Sequence, residues 1–337
     1  MNPTMRRTPR LGLWLAVPLL LITVAVPPAG CAGGSTKRQK MADEFMTDAE
    51  RYLDEGLTDS ALEAFSRALD ENPDLTQAYR GIGHIYLERD QLDNAAAAFE
   101  KAVAIEPNSF SAQYDYGLVQ HLMGDLRSAV AVYLKALSID PSDVKANRNL
   151  AAAYIQLGLP TDALGYAQQA TRLPDAEQAD WANLAAAHSL LNEHDQAVDA
   201  YRQAAELGEI REPILLGLAN SHIQLGNYAR ALITLETLER RVEGALSSTS
   251  YERMGVAQFR LRRYEDALSS FQSALDQNPR DVSALNGVGA TYMTLYLEGE
   301  REDRYQRSRA IASWKRSVQI NPSQPLIVDL IARYGKL

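Results

Sequence analysis

Among the side chains that could carry chemistry, the scarcest are the single cysteine, Cys31, and the five histidines, His84, His121, His188, His194 and His222. A lone thiol forms no internal disulfide and builds no Cys-based zinc site, so Cys31 is left as a site for attaching something to the chain. His84 and His121 are two donors without an evident third, whereas a zinc site takes three or four. No HExxH, no GxSxG and no phosphate-binding glycine loop occurs. The 43 acidic residues are scattered along the sequence and keep helical surfaces soluble rather than forming an acid–base pair. The sequence therefore names no catalytic residue, no metal ligand, no cofactor and no small-molecule substrate.

What precedes Cys31 gives it a use. Arg6, Arg7 and Arg10 stand before an apolar run from Leu11 to Val26, broken by Pro18. That order is the one of a secretory signal, and the run is short for a membrane span, which needs about 20 residues. Residues 1–30 are thus expected to be a signal peptide. Pro28-Ala29-Gly30-Cys31 resembles a bacterial lipobox, with proline where Leu or Val usually stands. The resemblance implies lipidation of Cys31, membrane attachment through that lipid, and, with Ala32 following, the outer membrane facing the periplasm if the cell is Gram-negative. Cleavage nearby, for example after Ala32, is the alternative and would release a soluble secreted adaptor. Without residues 1–30 the 34 basic residues become 31 against 43 acidic, and the formal charge moves from −9 to −12. Such a balance lacks the basic footprint that nucleic acid requires.

The elements that would position any site come from a repeat. Stepping by 34 residues from Ala95 reaches Ala61, Ala129, Ala163, Ala197 and Ala231, and shifts of two and nine residues then give Ala267 and Ala310. A small residue at a helix crossing lets two backbones approach, and a larger one would overpack it. Four residues on stand Phe65, Phe99, Tyr133, Tyr201, Phe271 and Trp314, with Ala167 and Leu235 as departures. Three further on come Ala68, Ala102, Ala136, Ala170, Ala204 and Ala274, interrupted by Leu238 and Ser317. Pro73, Pro107, Pro141, Pro279 and Pro322 then stop the second helix of each unit. With Tyr79, Ile82, Gly83 and Tyr86 ahead of Ala95, the unit resembles a tetratricopeptide repeat.

That resemblance implies an all-α, right-handed α-solenoid of about eight helix-turn-helix units over residues 41–337. The units are expected to start near 42, 76, 110, 144, 178, 212, 248 and 282. Residues 31–40 are small and polar after Cys31 and are expected to form a flexible tether, able to reach roughly 30 Å if extended. The second helix of repeat six is expected to be extended before Ser247-Ser248-Thr249-Ser250. Repeat eight holds nine extra residues within a charged stretch, where Glu300/Arg304 and Asp303/Arg307 are spaced to lengthen helices, with a solvated loop as the alternative. Residues 323–337, with Ile327, Leu330, Ile331 and Tyr334 at helical spacing, read as a cap on an open solenoid end. His188 and His222 stand where other repeats have tyrosine and are expected to pack, while His194 falls in a turn and is expected to be solvated.

In tetratricopeptide-repeat proteins the first helix of each pair lines a concave groove. Carried over position by position, that implies a peptide-binding groove formed by Arg80, His84, Tyr114, His121, Lys145, Arg148, Asn149 and Asn183. Further on, Leu216, Asn220, Ile223, Val256, Phe259 and Met293 make the same face more apolar. Side-chain amides there suit the backbone of an extended peptide, and the cations suit acidic groups or a terminal carboxylate. Solvated helix faces are the alternative. Lys145, Arg148 and Asn149 are similar to part of the carboxylate clamp of chaperone-binding domains, but the full set of clamp positions is absent. The resemblance implies a membrane-anchored scaffold that binds proteins or extended peptides in cell-envelope assembly or secretion, without enzyme activity. A polysaccharide-handling component or an enzyme with an unrecognised site is the other alternative.

Overall fold

The computed structural model describes residues 32–242, 244–299 and 304–335. The signal segment and Cys31 lie outside the described residues. All the regular structure among the described residues is helical, and it falls into two compact units, Met1–Pro73 and Asp74–Leu337.

The first unit pairs α1 (Ala32–Asp54) with α2 (Thr58–Glu71). Here the expected tether is corrected, because α1 begins at Ala32 and runs through Lys40 without a break. Local spacing explains it: Gln39 donates to Asp43 at 2.8 Å and Lys40 reaches Glu44 at 3.8 Å, both one turn ahead. Arg38 also ties this stretch to α2, donating to the Asp70 carbonyl at 2.9 Å and to Glu71 at 3.2 Å.

The second unit continues the alternation. Its first helices are α3 (Thr76–Glu88), α5 (Phe110–Leu122), α7 (Val144–Gln156), α9 (Gln178–Leu190), α11 (Glu212–Gln224), α13 (Ser248–Arg260) and α15 (Val282–Glu298). Its second helices are α4 (Leu92–Ile105), α6 (Leu126–Ile139), α8 (Pro160–Arg172), α10 (His194–Glu206), α12 (Tyr228–Arg241), α14 (Tyr264–Gln277) and α16 (Arg304–Ile320), and α17 (Pro325–Gly335) closes the order. Each first helix packs on its own second helix, and those from α3 to α13 also pack on the first helix of the next pair. The first helices therefore form one continuous face of the unit, which is the arrangement of a helical-repeat solenoid.

Every alanine of the 34-residue register is fully buried, from Ala61 to Ala310. In several repeats the ring four residues later fills the space beside a glycine of the paired first helix. A Cβ on Gly83 would stand 2.5 Å from Phe99 Cε1, and one on Gly117 would stand 2.7 Å from Tyr133 Cδ1. Each turn between paired helices from α1/α2 to α13/α14 then has one residue in the left-handed region. Gly56, Gly124, Gly158 and Gly226 supply it without a Cβ penalty, and Asp90, Asn192 and Arg262 adopt it at the equivalent place.

Repeat eight gains length in its helices, since α15 and α16 each have 17 residues where α3 and α4, for example, have 13 and 14. Glu300 and Asp303, the acidic members of the expected pairs, lie outside the described residues. The α12 helix is not extended: it has 14 residues, and Val242 leaves it with extended backbone at φ −86° and ψ 128°. The following link is pinned by Leu246, which is 1 % exposed. At the end, Ile327, Leu330, Ile331 and Tyr334 of α17 pack against the cluster of Met293, Tyr296, Ala310 and Trp314, as a cap requires. Met293, expected on the groove face, is instead part of that core.

Serines after the link do more than join two repeats. Ser247 caps α13 by accepting from the Ser250 amide, and Glu212 at the start of α11 accepts from the Ser247 amide at 2.9 Å and the Ser250 hydroxyl at 2.6 Å. Burial pushes the Glu212 carboxyl up, but these hydrogen bonds outweigh it and hold the group below its usual range. A depressed carboxyl stabilises the fold above its unfolded pKa, and the contribution is lost as pH falls through the folded value. Glu212→Ala is accordingly expected to cost about 1 kcal/mol at neutral pH. In urea titrations, the gap between variant and parent closes as the medium is acidified below the carboxylate range; a gap independent of pH would contradict the assignment.

Candidate functional site

The eight expected groove residues all lie on the first-helix face, on α3, α5, α7 and α9. The structure brings them together, but largely as partners of one another and of acids that the sequence reading passed over. Arg80 on α3 donates Nε to Asp115 on α5 at 2.7 Å, and His84 Nε2 stands 3.2 Å from the same carboxylate oxygen. Asp115 itself is 5 % exposed. Tyr114 accepts from the Asn149 amide at 3.1 Å, and His121 Nε2 meets Gln156 at 3.0 Å. Asn183 donates to the Arg148 carbonyl at 3.2 Å.

Arg148 is the most committed of the set. Its Nε and Nη2 make a two-pronged contact with Asp180 at 2.7 and 2.8 Å, and its Nη1 pairs with Glu177 at 3.0 Å. Asp180 is fully buried and also accepts from the Glu177 amide at 2.7 Å. Hydrogen bonding to Asp180 raises the Arg148 pKa, so the guanidinium is charged throughout. This geometry is a structural lock between α7 and α9 and leaves Arg148 no free donor fork for a ligand.

Two expected residues keep donors available. Lys145 is exposed and makes no ion pair among the described residues. Arg80 uses only Nε, and its Nη groups are unengaged among the described residues. It lines a cleft of about 410 Å³ between the starts of α3 and α5, with Gln77, Ser109, Ser111, the buried Thr76 and two acids, Asp74 and Glu106. The Thr76 hydroxyl has no hydrogen-bond partner among the described residues. A second cleft, of about 320 Å³, opens between α9 and α11 beside Asn183, Gln178 and Arg211. Toward α13 the face is apolar but occupied, because Leu216, Ile223, Val256 and Phe259 are half-buried against the core.

Among the histidines, His188 and His222 do pack, the first with Nδ1 held 2.6 Å from Glu193 and the second 6 % exposed. His194 departs from its expectation, since it opens α10 half-buried with Nδ1 shielded from solvent. Among the described residues no group of three His, Cys, Asp or Glu side chains could hold a metal ion. Nor is any described helix long and apolar enough to cross a membrane.

Paired antiparallel helices with one shared first-helix face define a helical-repeat solenoid. Tetratricopeptide-repeat profiles match residues 47–110, 216–282 and 252–295, and related ones match 121–158 and 181–207. Together they span well over half of the sequence, and the chain belongs to the tetratricopeptide-repeat proteins. It is 29 % identical over 110 residues to the Photosystem I assembly protein Ycf3 of Synechococcus sp. (strain CC9311), a match covering 31 % of this chain and 64 % of that protein. The chain thus spans less than two thirds of the length of this curated relative.

Solved structures resemble it in fold. A tetratricopeptide repeat protein from Parabacteroides merdae ATCC 43184 aligns with TM-score 0.53 at 17 % identity, over 75 % of this chain and 99 % of its own. The structure of the APC/C hetero-tetramer Cut9-Hcn1 gives 0.57 at 16 % identity, over 91 % and 57 %. Pseudomonas aeruginosa pilF gives 0.54 at 19 %, over 66 % and 99 %.

Proposed function

We propose that this chain is a scaffold that binds protein partners by laying an extended peptide segment along its first-helix face. A lipid on Cys31 anchors it to the cell envelope, where it serves assembly or secretion. The observation that carries the binding reading is the cleft between α3 and α5. There an arginine fixed by Asp115 still presents its Nη groups, beside a buried hydroxyl without a partner and the Gln77 amide. Donors held in place before the ligand arrives lower the ordering cost of binding. A likeness to an assembly protein and to a chain of a hetero-tetramer supports a partner-binding role. The signal-like segment and the four residues ending in Cys31 support the anchor.

The test is recovery of partners from solubilised membranes with the tagged full chain and with Arg80→Glu/Lys145→Glu. Selective loss of partners, by tenfold or more, is expected for the doubly reversed chain. Equal recovery would overturn the groove. Labelled fatty acid should enter the parent and not Cys31→Ser; no label in the parent would make the chain a soluble adaptor instead.

A further inference from the structure

The second helices carry a cationic cleft that the groove reading does not use. It lies between α10 and α12, with α11 as its floor, and measures about 430 Å³. Arg202 enters it from α10 and Arg230 from α12, while His222 rises from α11 between apolar walls of Val198, Leu218 and Ile233. Neither guanidinium makes an ion pair or hydrogen bond among the described residues. His222 is 6 % exposed, and its Nδ1 has no hydrogen-bond partner among the described residues. Arg202 also lines the neighbouring cleft against α9, together with Asp199 and Glu206 of its own helix.

Packing alone does not call for this set. One repeat earlier, Gln168 and Gln196 stand where Arg202 and Arg230 stand, and His188 has the Glu193 carboxylate on its Nδ1. In repeat six the residue at the Glu193 position is Asn227, so the imidazole lacks its acid while two unpaired cations gather beside it. Three differences from repeat five thus meet in one cleft, and all three change the electrostatics toward receiving an anion. Burial first, and then the nearby Arg230 and Arg202 charges, push the His222 pKa down.

We propose that this cleft is a second binding site, which takes the carboxylate side chains of an acidic peptide segment of a protein partner, with an apolar residue of that segment against Ile233. Arg230 and Arg202 bind the carboxylates as charge-assisted donors, and Ile233, 60 % exposed, supplies the apolar contact. A site of this volume has room for one or two side chains, so recognition is of a short motif. It stands apart from the first-helix groove and does not depend on it.

The test titrates the purified full chain with the peptide Ac-Glu-Glu-Leu-Glu-Glu-NH2 by calorimetry, with the His222 ring signal followed by NMR. Saturable binding that weakens with salt and moves the His222 titration upward is expected. Affinity should fall at least tenfold in Arg202→Gln and in Arg230→Gln, both exposed positions, and in the all-Gln peptide. The Arg80→Glu/Lys145→Glu chain should bind as the parent does, which separates this site from the groove. Equal binding of the Gln peptide, or affinities within twofold in both arginine variants, would overturn the site. Saturable binding of inorganic phosphate without binding of the acidic peptide would overturn the peptide assignment.

Discussion

Replacing Arg148 with alanine is expected to destabilise the second unit by about 3–5 kcal/mol, because it strands a fully buried carboxylate. Asp180 would keep its hydrogen bond from the Glu177 amide but lose both prongs of the guanidinium. Arg148→Lys retains a charge and loses the planar fork, so an intermediate loss follows. Adding Asp180→Asn to Arg148→Ala removes the stranded charge while keeping an acceptor for the Glu177 amide. The double variant is therefore expected to be more stable than Arg148→Ala alone. Urea unfolding gives the energies, and hydrogen exchange should place the lost protection on α7 and α9, since stability in such arrays is local to neighbouring repeats. A cost below about 1 kcal/mol would mean that the pair behaves as a solvent-exposed ion pair. The same lock shows why charge reversal at Arg148 says nothing about ligand binding, and why Arg80 and Lys145 are the positions that do.

The alanine register and its aromatic companions were legible because close packing permits few residue types at a helix crossing. Gly83 and Gly117 could also be singled out, although only the structure shows each receiving the ring of Phe99 or Tyr133. The partners of the groove cations were missed for a different reason. Position-by-position transfer considers each first helix alone, whereas successive first helices place residues about one period apart side by side. Arg80 and Asp115 are 35 apart, Tyr114 and Asn149 35, and Arg148 and Asp180 32. Scanning for opposite charges at that separation would have found both locks. The start of α1 was missed because composition between Ala32 and Lys40 outweighed the Gln39–Asp43 and Lys40–Glu44 spacings. The cleft on α10 and α12 left a trace in the sequence as well, in Arg202 and Arg230, exposed cations that stand where repeat five has Gln168 and Gln196.

Phe271→Ala is the second large expected effect, a loss of about 3–5 kcal/mol that loosens repeats seven and eight together. The ring is 2 % exposed and packs among Ala267, Ala274, Leu275, Leu285 and Val288. It also lies between two glycines on different first helices: a Cβ on Gly255 of α13 would stand 2.7 Å from Phe271 Cδ1, and one on Gly287 of α15 would stand 2.5 Å from Cε1. One side chain thus sets the approach of α14 to both of its first-helix neighbours. Gly255→Ala gains about 1 kcal/mol of helix propensity but overpacks the ring by about 1–3 kcal/mol, so a modest net loss is expected. In Gly255→Ala/Phe271→Leu the added methyl occupies space that the smaller side chain vacates. The double variant should therefore be more stable than the sum of the two single losses by at least about 1 kcal/mol. Strict additivity in the same urea measurements would mean that glycine and ring do not share one space. The close approach of first and second helices would then have to come from the small residues Ala267 and Ala274 alone.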